Sequence, residues 1–310
     1  MSREVHGEKD EQFESLLKSN FKQQKLSAWR PVPTIKSTTL TFIIFGIIFI
    51  IIGVVVLVYS NQIEENIIQY DTCTGSPCTL EIKIEEKELK APVMVYYQLN
   101  NFYQNHRRYV KSKSNKQLAG EILSAEEIEA DCEPVYLNKH LDVDVAIDGV
   151  TPLVKDAAAN PCGLIAKSMF NDTYTLSASG KDIFINETGI AWASDITHKY
   201  KMPENAEKIL WKNITDEHFM VWMRPAGLPN FRKLWGRINQ DLPIGTYKLE
   251  VNNTFPVKDF EGAKFFVLST VNAFGGKNSF LGISYICVGG ICFVMAILFF
   301  FGYKAHSKTN

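Results

Sequence analysis

The residues best suited to chemistry are three aspartates (Asp142, Asp144 and Asp148), six scattered histidines and a run of cations between Asn101 and Lys116. The aspartates resemble the start of a calcium loop. A twelve-residue loop begun at Asp142, however, needs a bidentate Glu at its last position and has Leu153 there. They read as a solvated acidic loop. No two histidines stand at zinc-ligand spacing. Gly275 to Lys277 (GGK) lacks the upstream glycine and the following hydroxyl residue of a phosphate loop, and neither H-E-x-x-H nor G-x-S-x-G occurs. The sequence therefore predicts no catalytic residue, no metal ligand and no cofactor.

The cationic run is different. NFYQNHRRYVKSKSNK gathers His106, Arg107, Arg108, Lys111, Lys113 and Lys116 in one stretch, with Phe102, Tyr103 and Tyr109 available to pin it to a core. One reading is a solvated face beside a strand. Another is docking onto acidic loops of a partner or onto lipid phosphates at a membrane surface. The residues alone leave both open.

Covalent chemistry is legible in the cysteines and sequons. Cys287 and Cys292 sit inside an apolar span, which leaves Cys73, Cys78, Cys132 and Cys162 for an oxidising compartment. Four cysteines allow three pairings. Sequence neighbours favour Cys73 with Cys78 and Cys132 with Cys162, and no C-x-x-C redox motif is present. Asn171 (N-D-T), Asn186 (N-E-T), Asn213 (N-I-T) and Asn252 (N-N-T) match the N-glycosylation pattern.

Two apolar spans must position all of this. No charge occurs from Ser37 to Ile63 or from Asn278 to Tyr303. Each exceeds the roughly 20 residues that a helix needs to cross a hydrocarbon core. The first begins too deep in the chain and runs too long for a cleaved signal peptide. Lys22, Lys25, Arg30 and Lys36 precede it, whereas the first basic residue after it is Lys83. By the positive-inside rule the N-terminus is cytosolic. Two crossings return the chain to that side, in agreement with Lys304 and Lys308, and only Lys277 stands against this. The predicted division is a cytosolic segment 1–36, a membrane helix 37–61, an exoplasmic or lumenal domain 62–279, a second membrane helix 280–303 and a cytosolic tail 304–310. Phe13, Leu16, Leu17 and Phe21 have helical spacing in the first segment, while Trp29 and Pro31 lead stiffly into the first span.

Between the spans acidic residues outnumber basic ones, which argues against a nucleic-acid partner. Runs rich in β-branched and aromatic residues predict strands at Glu81 to Ile84, Val93 to Leu99, His218 to Arg224, Thr246 to Val251 and Lys264 to Val271. Ser124 with Glu127 forms a capping box, and Pro229 can open a helix with Phe231, Leu234, Trp235 and Ile238 on one face. The fold class is two transmembrane α-helices flanking a mainly-β ectodomain, an antiparallel β-sandwich with a few short helices.

Several long blocks then carry a resemblance. FKQQKLSAWRPVPT (Phe21 to Thr34), YYQLNNFYQNHRRYVKS (Tyr96 to Ser112), PCGLIAKSMFNDTY (Pro161 to Tyr174), GIAW (Gly189 to Trp192), VWMRPAGLPNFRKLW (Val221 to Trp235) and FGGKNSFLGISYICVG (Phe274 to Gly289) stand in order about two apolar spans. Together they resemble the accessory beta subunit of type IV P-type ATPases, the phospholipid flippases, in the cell-division-cycle-fifty or Lem-three family. The resemblance implies a non-enzymatic subunit in a heterodimer with a catalytic ATPase, aiding its folding, its exit from the endoplasmic reticulum and its transport cycle. The phospholipid then passes from the exoplasmic to the cytosolic leaflet, in the endoplasmic reticulum, Golgi, endosome or plasma membrane. It also implies that Asn171 is glycosylated and that Cys132 pairs with Cys162. This chain departs from many members in having only Cys73 and Cys78 in the first cysteine region.

Candidate partner contacts are Trp29, Pro31, His106, Arg107 and Arg108, with Gly282, Gly289 and Gly290 as small residues that let another helix approach closely in lipid. Membrane lipids are the other expected neighbours; neither nucleic acid nor a small-molecule substrate is expected. The alternatives are a two-helix channel subunit, for which the spans lack polar pore-facing positions, and a membrane-anchored ectodomain receptor or ectoenzyme. Ion conductance or hydrolase activity of the purified chain would separate these.

Overall fold

The computed structural model describes residues 19–25, 34–73, 75 and 77–309. Trp29, Pro31, Phe13, Leu16 and Leu17 lie outside them. Two compact units are present, Met1–Val54 with Ile283–Asn310, and Val55–Gly282.

Helix α1 spans Ile35–Asn61. The second unit contains β1 (Glu65–Gln69), β2 (Cys78–Ile84), β3 (Val93–Asn100), α2 (Arg107–Lys111), α3 (Asn115–Leu118), α4 (Ala125–Cys132), α5 (Leu164–Lys167), β4 (Thr173–Ala178), β5 (Lys181–Ile183), α6 (Ala206–Ile209), α7 (Glu217–Trp222), β6 (Phe231–Ile238), β7 (Gly245–Asn252) and β8 (Ala263–Ser269). Helix α8 runs over Ser279–Thr309. It starts one residue before the predicted second span and continues past Tyr303. Both long helices are apolar over most of their length and expose large side chains such as Ile44, Ile48, Ile291 and Phe301. Such all-round apolarity suits lipid as the solvent, where a helix satisfies its own backbone.

Two four-stranded antiparallel sheets form the second unit, in the orders β1-β8-β3-β6 and β2-β7-β4-β5. In β3 alternate side chains, Val93, Val95, Tyr97 and Leu99, are buried; in β7 Tyr247, Leu249 and Val251 are. One apolar core joins the inner faces of both sheets. Tyr174 of β4 meets Trp235 of β6 at 5.2 Å and Phe266 of β8 at 4.9 Å between ring centroids. This is the sandwich that strand alternation predicts.

Two local expectations are overturned. The stretch from His218 to Arg224 is not a strand. Its first part lies in α7, where the Asp216 carboxylate accepts from the His218 N–H at 3.0 Å and so caps the helix, while Phe219, Met220 and Trp222 enter the core. Tertiary burial overrides the β preference of these residues. The residues after Pro229 are likewise not a helix but strand β6. Opposite Val95 and Tyr96 the register shifts, so Gly236 and Leu234 are paired and Trp235 is the extra residue. This bulge switches the buried parity from Phe231, Lys233 and Trp235 to Gly236 and Ile238. The resulting apolar spacing imitates a helical face. The expected capping box is present at α4, with the Glu127 carboxylate accepting from the Ser124 N–H at 2.8 Å. Strands β1, β4 and β5 were not legible as runs.

Candidate functional site

The cationic run is held from beneath. Gln104 is fully buried and its side-chain oxygen accepts from the Ala226 N–H at 2.9 Å. Phe102 packs among Tyr109, Trp222, Phe255 and Phe260. The Tyr109 hydroxyl bonds Ser168 at 2.7 Å, and burial pushes its pKa up to about 12. Tyr103, expected to help as a pin, is instead 58% exposed.

The same segment is clamped to the disulfide strap. Cys132 and Cys162 are bonded, with Cα atoms 5.7 Å apart, and centre a small separate core with Ile128, Val135, Leu141 and Ala159. Ser112 donates to the Cys132 carbonyl at 3.0 Å and accepts from the Leu164 N–H at 2.8 Å. Gln117 donates to the Ala159 carbonyl and accepts from the Cys162 N–H. Gly163 has φ +102°, and a Cβ there would lie 2.1 Å from the Ser112 carbonyl oxygen. Only glycine allows the strap to approach this closely. Cys73 and Cys78, the latter the first residue of β2, form the other disulfide.

This scaffold leaves His106, Arg107, Arg108, Lys111 and Lys116 exposed, and none of these has an ion-pair partner among the described residues. Lys113 differs. It is half-buried in a groove of about 630 Å³ that also holds His198, Lys199, Arg224 and Asp195. Burial, reinforced by the Lys199 and Arg224 charges, holds its ammonium below the ordinary range. Asp195 is buried and pairs with Arg224 at 2.6 Å and Lys199 at 2.8 Å. The hydrogen bond from Arg224 holds its carboxyl below the usual range despite burial. One anion thus answers several cations, and the groove is electropositive. Among the described residues no three His, Cys, Asp or Glu come together as a metal site.

Beside the groove stands a loop that sequence reasoning did not single out as a contact. The Glu217 carboxylate accepts from the N–H groups of Gly189, Ile190 and Ala191 at 2.8, 2.7 and 2.9 Å. Burial alone raises the Glu217 pKa, but these three bonds outweigh it and leave the carboxyl below its ordinary range. Arg237 donates to the Thr188 and Gly189 carbonyls from the other side. Trp192, next in the chain, projects with 66% of its surface exposed. The Arg224 guanidinium lies 5.2 Å from its ring centroid. The available signal was the GIAW block itself, a tryptophan behind a glycine turn.

Of the small residues, Gly289 and Gly282 face the chain's own first helix. A Cβ on Gly289 would meet Ile50 at 2.6 Å and the Gly46 carbonyl at 3.0 Å, and one on Gly282 would meet Leu57 at 2.9 Å. Gly46 is the other half of the Gly289 crossing. Phe42 with Phe299 and Phe49 with Tyr285 stack alongside. Gly290 meets nothing within 4 Å and is open to a neighbour.

The four sequon asparagines lie at or near the surface. Asn171, Asn213 and Asn252 are exposed, and Asn186 is partly so. In Asn186 and Asn213 the side-chain oxygen accepts from the hydroxyl of the sequon threonine, at 2.7 and 2.8 Å.

Comparison with known proteins adds a family. Residues 56–309 match the family described as the LEM3 (ligand-effect modulator 3) family / CDC50 family. The chain is 42% identical to an ALA-interacting subunit 3 of Arabidopsis thaliana, across 91% of this chain and 84% of that protein. It is 36% identical to a cell cycle control protein 50A of Bos taurus, across 94% and 90%. A Saccharomyces cerevisiae protein named as a phospholipid-transporting ATPase accessory subunit is 30% identical, across 91% and 83%.

Proposed function

The chain belongs to the LEM3/CDC50 family, and from that membership we propose that it is the non-catalytic accessory subunit of a phospholipid-transporting type IV P-type ATPase. One observation carries this reading: a relative named as such a subunit aligns over 91% of the chain, and the family match over residues 56–309 takes in the disulfide-braced sandwich and α8. The chain supports lipid movement toward the cytosolic leaflet by holding the ATPase in a competent form, not by chemistry of its own.

On this reading α1 and α8 cross the membrane, both short ends are cytosolic, and the sandwich stands on the exoplasmic side of a secretory-pathway membrane. The cations before and at the start of α1 (Lys22, Lys25, Arg30 and Lys36) and in the last turns of α8 (Lys304 and Lys308) support that orientation. Residues 1–36 and 304–310 are then cytosolic and 62–279 lumenal, with Asn171, Asn186, Asn213 and Asn252 available for glycosylation. Assistance in folding and in leaving the endoplasmic reticulum belongs to the same proposal. His106, Arg107, Arg108 and Gly290 are the accessible contact positions, with Trp29 and Pro31 beyond the described residues.

Affinity purification of the full chain from native membranes tests the partnership. An ATPase of the type IV class should co-purify in near-stoichiometric amount; repeated recovery of the chain alone would remove the proposal.

A further inference from the structure

We infer that Trp192 and Arg224 form the anchor at which the lumenal domain grips an exoplasmic loop of its ATPase, and that this loop presents an acidic side chain beside an apolar one. The inference rests on the proposed partnership and adds the contact and its chemistry.

Exposing a tryptophan to water is costly in apolar surface, and here the exposure is built in. Three backbone donors on Glu217 and two carbonyls on Arg237 fix the turn immediately before Trp192. Its ring is further set by the guanidinium of Arg224, which is itself fixed by buried Asp195. Such pre-organisation removes the ordering cost that an exposed side chain normally incurs on binding. Tryptophan and arginine are also the residues that most often dominate binding energy at interfaces.

The two hollows flanking this pair differ in chemistry. On one side a mostly apolar depression of about 440 Å³ is walled by Ile190, Trp192, Met220, Val221 and Leu234, with Arg232 and Lys233 also in its lining. On the other lies the electropositive groove with Lys113, His198 and Lys199. Arg224 and Asp195 border both. A complementary segment places an apolar side chain in the first hollow and a carboxylate in the second, where Asp195 leaves the Lys113 and Lys199 charges incompletely balanced.

The test uses the full chain co-expressed with its ATPase. Trp192→Ala empties no core, and Lys199→Glu reverses a charge on an exposed side chain; thermal denaturation of each variant checks that the fold survives. Each should lower the ATPase recovered by at least tenfold, while Lys199→Arg retains it. A photo-crosslinking amino acid at position 192 should label the ATPase on an exoplasmic loop containing Asp or Glu. If the wild-type chain recovers the ATPase but the two variants do so equally well, the anchor is wrong and the partnership stands. An adduct at position 192 on lipid or on a second copy of this chain also overturns the anchor. Failure of the wild-type chain to recover any ATPase removes both.

Discussion

Lys264 Nζ lies 2.7 Å from the Asp172 carboxylate, and the two side chains are 1% and 0% exposed. Asp172 is the central residue of the Asn171 sequon. Asn253, central to the Asn252 sequon, also accepts from Lys264, at 2.6 Å. Tyr70 donates to Asp172 at 2.9 Å, and the Thr254 and Phe255 N–H groups each reach it at 2.6 Å. The two surface sequons are therefore rooted in one buried ionic cluster.

Removing one half of that pair leaves a buried charge with no counter-ion. Lys264→Met should cost about 3–5 kcal/mol. The double variant Lys264→Met/Asp172→Asn should cost less than the sum of the two singles. Denaturation of the detergent-solubilised full chain measures both. Strict additivity would show that the pair is not coupled.

Gly163 sits where a Cβ would overlap the Ser112 carbonyl, in a left-handed conformation. Gly163→Ala should therefore destabilise by about 3 kcal/mol or more, at the severe end for a single substitution. Because the strap carries Cys162, the variant should also show faster reduction of Cys132–Cys162, read by thiol labelling. Wild-type melting and labelling rates would contradict this account of the strap.

Glu217 gives a pH dependence with a definite sign. Its carboxyl lies below the ordinary range in the folded state. Its contribution is thus complete above the unfolded value of about 4.3 and fades as pH falls through the lower folded value. Glu217→Gln should lose about 1–3 kcal/mol at pH 7, since hydrogen bonds to a charged acceptor weaken. The gap from wild type should narrow in melts run at progressively lower pH below about 4. A gap independent of pH would mean that the carboxylate charge is irrelevant to the loop.

Gly289 and Gly290 are adjacent yet should behave differently. Gly289→Val drives a side chain into Ile50 and should disturb the packing of α1 on α8. Gly290→Val meets nothing within the chain and should leave its melting unchanged, while lowering the amount of ATPase that co-purifies. Equal behaviour of the two variants, in melting and in ATPase recovery, would contradict the assignment of their faces.

Much of this architecture was legible because its signals are local. Length and absence of charge mark α1 and α8, and alternation marks β3 and β7. The Glu127 cap marks α4. Strand β6 was misread because the Trp235 bulge shifts the pleat by one residue, and because Lys233 sits in a buried position that a polarity pattern assigns to solvent. Its ammonium is satisfied by the carbonyls of Val221, Trp222 and Arg224, contacts that only the folded chain brings together. Helix α7 was misread because Trp222 and Phe219 look like strand residues until Asp216 is seen capping them. The proposed contact surface was half legible. His106, Arg107 and Arg108 are visible as a charge run, whereas the groove joins Lys113 to Lys199 and Arg224 from distant parts of the sequence. No spacing rule links those positions.

On the proposed reading this chain enables a lipid pump without being one. The most direct measurement is uptake of a fluorescent phospholipid by cells expressing a co-purifying type IV ATPase with and without this chain. ATPase-dependent inward movement should require the chain, and the chain expressed with a catalytically dead ATPase should give none. Undiminished uptake in its absence, or uptake driven by the chain beside the dead ATPase, would contradict the account.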